Sequence, residues 1–341
     1  MDKVLAIAIQ IVIVLSVIIP MVFYYNINGL NERVCILDKK STLAWKGVCC
    51  IIVVQFHTPV SNVLYHALGF CSAFIVTTLF SLIAAYGMSL SFIYKNNYLR
   101  RIPIRIFRIS FAYILIRIIN YLIVGKSAII GIRWINTIIL FYIVFYLVHY
   151  FCKNFHYADF ILCIFWIAYC VWAYYCKNKY FAWPGESLGY AYGIILARYK
   201  TEIEVIITRY GKKISVIATF SSCLLAGLYS WQAYDRGNYA GYMYVVRLLL
   251  TISVIIMFLV ITAYVPLHNR LLELCGSMCL YVFLIHSLII EVSKNYMQDG
   301  WLLLCCIGGS LFVSFGWYWV ELKLNPKIKK IFFNLRILGK N

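Results

Sequence analysis

The chain has 341 residues, of which 64% are hydrophobic and 13% charged, with a net charge of +19 and a mean hydropathy of +0.84. A water-soluble globular domain does not carry that balance, whereas many apolar stretches of about 20 residues suit a bilayer about 30 Å thick. The positive charge is spread between those stretches rather than gathered in one patch, so membrane lipids and not nucleic acid are the expected surroundings.

In chain order, hydrophobic segments are read near 4–24, 43–61, 68–94, 104–124, 135–152, 158–176, 181–198, 214–230, 241–265, 277–293 and 300–320. The expected fold is therefore all-α, a polytopic membrane helix bundle of about 11 transmembrane helices forming one domain over 1–341. Residues 1–26 carry one lysine, Lys3, ahead of a long apolar run with no small-residue cleavage site, and read as an extra retained helix rather than a signal peptide. Residues 321–341 read as a basic tail.

Assigning loops alternately to the two faces puts 21 of the 31 Lys and Arg residues on one side and 7 on the other, with Lys46, Arg117 and Arg247 inside segments. By the positive-inside rule the basic loops and the carboxyl terminus are cytoplasmic, in a multi-pass cytoplasmic-membrane protein. Thirteen cysteines fall mostly within apolar segments, with neither zinc spacing nor a disulfide framework, and no His, Cys or acid set suggests a metal.

The second segment carries two polar groups that are costly in a membrane, Lys46 and His57, with ten residues between them. Eleven helical steps bring the second to within about 20° of the first, about 16 Å further along, so both face the same way. Ionisable residues placed like this usually face a bundle interior or a wet cavity.

The stretch from Trp45-Lys46-Gly47 to Phe56-His57-Thr58-Pro59 resembles the first motif of the acyltransferase-three family of integral-membrane acyl transferases: a basic residue, ten residues, then a histidine. Further elements follow in the family's order. Phe80 to Ser91 is similar to its Gly-containing second helix, without the usual Ser-Gly pair. Arg100-Arg101-Ile-Pro-Ile-Arg105-Ile-Phe-Arg108 is similar to its basic loop, without the proline that commonly follows. Trp134 to Tyr150 resembles its aromatic helix, Tyr190 to Ala197 a later Gly-containing helix, and Cys279-Leu-Tyr281-Val-Phe-Leu-Ile-His286 its closing element. The likeness covers about 42–320.

The resemblance implies transfer of an acyl group, most often acetyl from acetyl-CoA, to a hydroxyl of a surface polysaccharide or lipid-linked glycan. Some members carry an added extracytoplasmic esterase-like domain; this chain ends at Asn341 without one, which implies a one-component enzyme or a separate partner, with polysaccharide-assembly proteins as possible associates.

His57 is the expected catalytic residue. Its ordinary pKa of about 6.5 lets it take a proton from a hydroxyl near neutral pH as a general base. It could equally accept the acyl group itself as a nucleophile. Lys46, Arg105 and Arg108 suit the phosphates of a CoA ester, although snorkelling positive-inside charge is the better account of most single members of that basic loop. Glu186, after Trp183-Pro184-Gly185, is expected on the outer side, where it could orient His57, bind sugar hydroxyls or sit as an interfacial acid. Arg117 and Arg247 are expected to hold substrate, a phosphate or a developing oxyanion, or to form structural ion pairs, one of them with Glu186. His286 reads as structural. A different class, a secondary transporter or exporter of a small anion or glycan, would use Lys46, Arg117 and Arg247 as pathway charges and would need paired broken helices.

Overall fold

A computed structural model describes residues 35–60, 63–95, 98–125, 132–152, 154–176, 184–236, 241–264 and 267–338. The expected first helix, 4–24, lies outside them. The helices are α1 (Lys39–His57), α2 (Val63–Tyr94), α3 (Ile102–Val124), α4 (Ile132–Phe151), α5 (Phe155–Tyr175), α6 (Pro184–Arg198), α7 (Lys200–Arg236), α8 (Gly241–Tyr264), α9 (Arg270–Ser277), α10 (Cys279–Ser293) and α11 (Asp299–Leu338). No strand occurs among the described residues. Six of these helical stretches are long and apolar enough to cross a membrane, and eight qualify if each of two bent helix pairs is taken as one span. Two of the expected segments fall short of that measure. Helix α6 has 15 residues, about 22 Å of helix against a core of about 30 Å. Helix α1 carries Lys39, Lys40 and Lys46 at one end and Gln55 and His57 at the other.

Local chemistry explains the ends of α1. The Asp38 side chain accepts hydrogen bonds from the backbone N–H groups of Lys40 and Ser41, at 2.8 and 3.1 Å, and so caps two orphan donors. At the other end Thr58 is extended, with φ −74° and ψ 122°, because Pro59 disfavours helical backbone in the residue before it. The Thr58 hydroxyl returns to the Val54 carbonyl at 2.8 Å. His57 thus ends the helix.

The polar stretch 199–213, expected as a loop, is instead the first arm of α7, which meets the rest of that helix at 88° near Gly211. Tyr264 approaches Gly211 so closely that an added Cβ would stand 2.4 Å from the tyrosine oxygen. The stretch 266–276 likewise contains a short helix, α9, set at 78° to α10 and capped by the Asn269 side chain. Helix α11 continues beyond residue 320 to Leu338; the Leu, Lys and Ile residues there are acceptable helix formers.

Two backbone-to-backbone contacts hold the bundle's interior. Gly189 and Gly193, one turn apart on α6, lie against the carbonyls of Thr78 and Leu82 on α2, where added Cβ atoms would come to 2.4 and 2.3 Å. The partner numbers differ by the same amount in both contacts, so α2 and α6 run parallel. Gly47 of α1 and Gly276 of α9 meet in the same way, with the Leu272 oxygen 2.1 Å from a Cβ at Gly47 and the Leu43 oxygen 1.8 Å from one at Gly276. Between helices in lipid there is little hydrophobic drive, and close approach through small residues supplies the packing. Aromatic rings fill the remaining centre: Trp134 stacks on Phe283 at 4.2 Å and Phe141 on Tyr190 at 4.3 Å. Large apolar side chains on the outer faces of α3, α5 and α7, such as Phe111, Phe160 and Phe220, are exposed, as a lipid-facing perimeter requires.

Gly276→Ala should destabilise the protein by at least about 1–3 kcal/mol, the range for overpacking, because a carbonyl stands where the methyl would go. Gly87→Ala, with nothing within 4 Å of the added carbon, should not destabilise and should gain up to about 1 kcal/mol from the better helix former. Thermal unfolding of the detergent-purified protein, followed by tryptophan fluorescence, compares the two.

Candidate active site

Helices α1 and α10 form the seam on which the polar residues converge. Cys50 lies against Cys279, and the rings of His57 and His286 lie 5.0 Å apart, centroid to centroid. In both pairs the α10 partner is numbered 229 higher, so the two helices run parallel and in register. The charge of Lys46 acts on Cys49 and on Cys279. Lys46 and His57 therefore both look onto α10, Lys46 toward its first residue and His57 two turns further along.

Each histidine is tied to its own helix. Nδ1 of His57 is 2.9 Å from the Val53 carbonyl and Nδ1 of His286 is 3.1 Å from that of Val282. A carbonyl only accepts, so Nδ1 carries the proton in both neutral rings and Nε2 is left bare. Bare Nε2 is the form that removes a proton. His57 is half-buried, with the ring of Phe56 against its edge at 5.2 Å. His286 is wholly buried and its Nε2 has no hydrogen-bond partner.

Glu186 and Arg247 form a second polar centre. Glu186 stands in the first turn of α6, which begins at Pro184, a residue suited to that position because its missing N–H would be unpaired anyway. Its carboxylate accepts a hydrogen bond from Arg247 Nη2 at 2.7 Å, and both side chains are 12% exposed. The Thr77 hydroxyl bonds the same carboxylate and the charge of Arg133 is nearby. Arg247 also lies over the ring of Phe74 at 4.5 Å, a cation–π contact. The partner of Glu186 is thus Arg247 and not His57, which lies against Val53, Phe56 and His286.

The remaining site candidates separate. Arg105 donates to the Tyr98 hydroxyl at 2.5 Å and lies over that ring. Arg108, partly exposed, pairs with Glu321 of α11, which also accepts a hydrogen bond from Tyr281. Arg117 lies on the exposed face of α3, in a groove lined by Tyr113, Ile114, Ile118 and Tyr121, apart from Glu186 and Arg247. Among the described residues no group of three or more His, Cys, Asp and Glu could hold a metal.

Sequence reasoning passed over two features. His286 stands beside His57, a neighbour foreshadowed by cysteines seven residues before each histidine on both helices. Asp159 pairs with Arg198 and lies 3.8 Å from Nε2 of His149, which is wedged between Phe92 and Phe145; no local pattern marks that cluster, because its members come from α4, α5 and α6.

Arg247→Met should cost about 3–5 kcal/mol by leaving Glu186 buried and unpaired, and Glu186→Leu in the same chain should recover most of that loss. A double-mutant cycle on unfolding in detergent measures the coupling; a double variant as unstable as the single would show that the two groups do not depend on each other.

A comparison with protein families finds that a sequence model described as an acyltransferase domain matches residues 44–319. No curated protein and no solved structure matches the chain. The matched stretch runs from α1 to α11 and includes the α1–α10 seam and the Glu186–Arg247 centre.

Proposed function

The chain belongs to the acyltransferase-three family, and on that premise we propose that it moves an acetyl group from cytosolic acetyl-CoA to a hydroxyl of a surface polysaccharide or lipid-linked glycan. The observation that carries the reading is His57 at the end of its helix, half-buried, with a bare Nε2, one face shared with Lys46. In this scheme Nε2 removes the proton of the acceptor hydroxyl. The oxygen adds to the thioester carbonyl, the carbon–sulfur bond breaks, and the CoA thiolate leaves with the proton returned by the imidazolium. A general base in this role contributes about 10² to 10⁴ in rate.

Lys46, about 16 Å from His57 along the helix, is assigned to the donor end, a separation that an extended pantetheine arm spans. Arg105 and Arg108 enter on the same side and are assigned to the donor phosphates; the exposed part of Arg108 leaves its guanidinium accessible beside Glu321. Glu186 and Arg247 are assigned to acceptor binding, with the carboxylate and guanidinium offering complementary hydrogen bonds to sugar hydroxyls or a phosphate. Arg117, on the exposed face of α3, is assigned to the lipid-borne part of such an acceptor. The basic loops and the carboxyl terminus are placed on the cytoplasmic side of a cytoplasmic membrane, with about 11 crossings in all.

Transport is the less supported reading. Broken helices in transporters bracket a substrate near the bilayer midplane, whereas the bends at Gly211 and Met278 both lie at the basic end of the bundle, near Tyr264 and Gly47 respectively.

Purified protein in nanodiscs, given radiolabelled acetyl-CoA and a membrane-glycan extract, should transfer label to the glycan. His57→Ala should reduce transfer at least about 10²-fold with the protein still folded, and Lys46→Met should raise KM for acetyl-CoA more than it lowers kcat. Full transfer by His57→Ala would remove the histidine from the chemistry.

A further inference from the structure

Arg133 stands in the first turn of α4 and Glu186 in the first turn of α6. Their helices are tied together at this level: the Tyr169 hydroxyl of α5 bonds Thr137, one turn on from Arg133, and Ser187, the neighbour of Glu186. The Glu186 carboxylate therefore has two cations beside it, Arg247, which hydrogen-bonds it, and Arg133. One carboxylate among two guanidiniums leaves an excess of positive charge in this centre. Arg247 also keeps one N–H, at Nε, that is buried and has no hydrogen-bond partner among the described residues. An unpaired buried donor is unfavourable and calls for a group that fills it. Positive excess and a spare donor together point to an oxyanion.

We propose that Arg133 and Arg247 together bind the phosphate of a lipid-linked glycan, so that the enzyme selects an acceptor whose sugar is carried on a lipid phosphate. Guanidinium groups match phosphate oxygens in charge and in geometry. Glu186 holds Arg247 in place, Arg247 offers its Nε–H, and Arg133 brings the second positive charge. An uncharged sugar would use the donor and leave the charge excess, whereas a phosphate answers both. Depth favours a lipid phosphate over one dissolved in water, because the first turns of spanning helices lie near the headgroup layer. The inference concerns binding alone, and rests on the acetyl-transfer reading for the glycan that the lipid phosphate carries.

The same turn of α4 also reaches the histidine seam. Trp134, the residue after Arg133, stacks on Phe283 at 4.2 Å, and Phe283 lies one turn before His286, whose ring is beside that of His57. Consecutive residues of one helix thus serve the two polar centres, and a phosphate held by Arg133 brings its sugar to the end of the bundle where His57 stands.

Farnesyl phosphate is the probe and farnesol its uncharged counterpart, each added to the whole protein in nanodiscs while thermal unfolding is followed by tryptophan fluorescence. Farnesyl phosphate should raise the unfolding temperature to a plateau, and farnesol should not. Arg133→Gln should weaken the apparent affinity for farnesyl phosphate at least about tenfold, the loss of one hydrogen bond to a charged group. No shift with farnesyl phosphate, an equal shift with farnesol, or an affinity unchanged in Arg133→Gln overturns the proposal. Inorganic phosphate separates the sources: protection as strong as that by farnesyl phosphate would mark a site for a free anion and overturn it too. If Arg133→Gln does not fold, the unaltered chain decides through its acceptor. Mild acid cleaves the glycosyl phosphate of a lipid-linked glycan and leaves any sugar carboxylate in place. The released glycan should be acetylated with kcat/KM at least about tenfold below that of the intact one, and equal use of the two overturns the proposal. Farnesyl phosphate bound through Arg133 by a protein that acetylates no glycan would leave the phosphate site standing and defeat the acetyltransferase reading instead.

Discussion

Close backbone approach through glycine is the constraint on which this bundle depends. In lipid a helix gains little by hiding leucine from its surroundings, so helices must fit rather than merely be apolar. Here the fit is made at Gly189 and Gly193 on α6 and at Gly47 and Gly276 between α1 and α9. The second contact has the larger effect on the site. It fixes α9 across α1, and the sharp turn after α9 sets the starting point of α10, so the register of α10 against α1 follows from two residues that have no side chain.

That register places chemistry in the seam. With α1 and α10 parallel, every residue of α1 that faces its neighbour repeats its relation one or two turns later. Cysteine meets cysteine and histidine meets histidine by the same geometry. Pro59 then ends α1 just past His57, so the half-buried ring stands at the helix end. The Glu186–Arg247 pair is held by other helices, α6 and α8, and is stabilised by Thr77 and by the ring of Phe74. A reactive histidine and a charged pair are thus carried on separate supports.

Much of this was legible in the sequence. Apolar runs located α2, α3, α4, α5, α8 and the first part of α11 because each of these is long and apolar enough to cross a membrane. The eleven-residue step from Lys46 to His57 fixed their common face, since helical periodicity depends on nothing outside the helix. What escaped had non-local causes. The stretch 199–213 looks like a loop because its charges interrupt the hydropathy, yet the same charges suit a helix lying across the end of the bundle. His286 looks isolated because the group that gives it meaning is 229 positions away. Glu186 offered three partners of plausible charge and depth, His57, Arg117 and Arg247, and only the packing of α6 beside α8 selects Arg247.

The parallel run of α1 and α10 imposes a rule of parity. Two spans that enter a membrane from the same face must be separated by an odd number of crossings, whatever the lengths of the connections. Eight helices lie between them; α9 bends directly into α10 as part of one span, and the other seven, α2 to α8, meet the rule when each crosses once, including α6 with its 15 residues. The loss of one crossing would turn α10 end for end and carry His286 away from His57. A short helix that touches neither histidine is therefore part of what brings the two together.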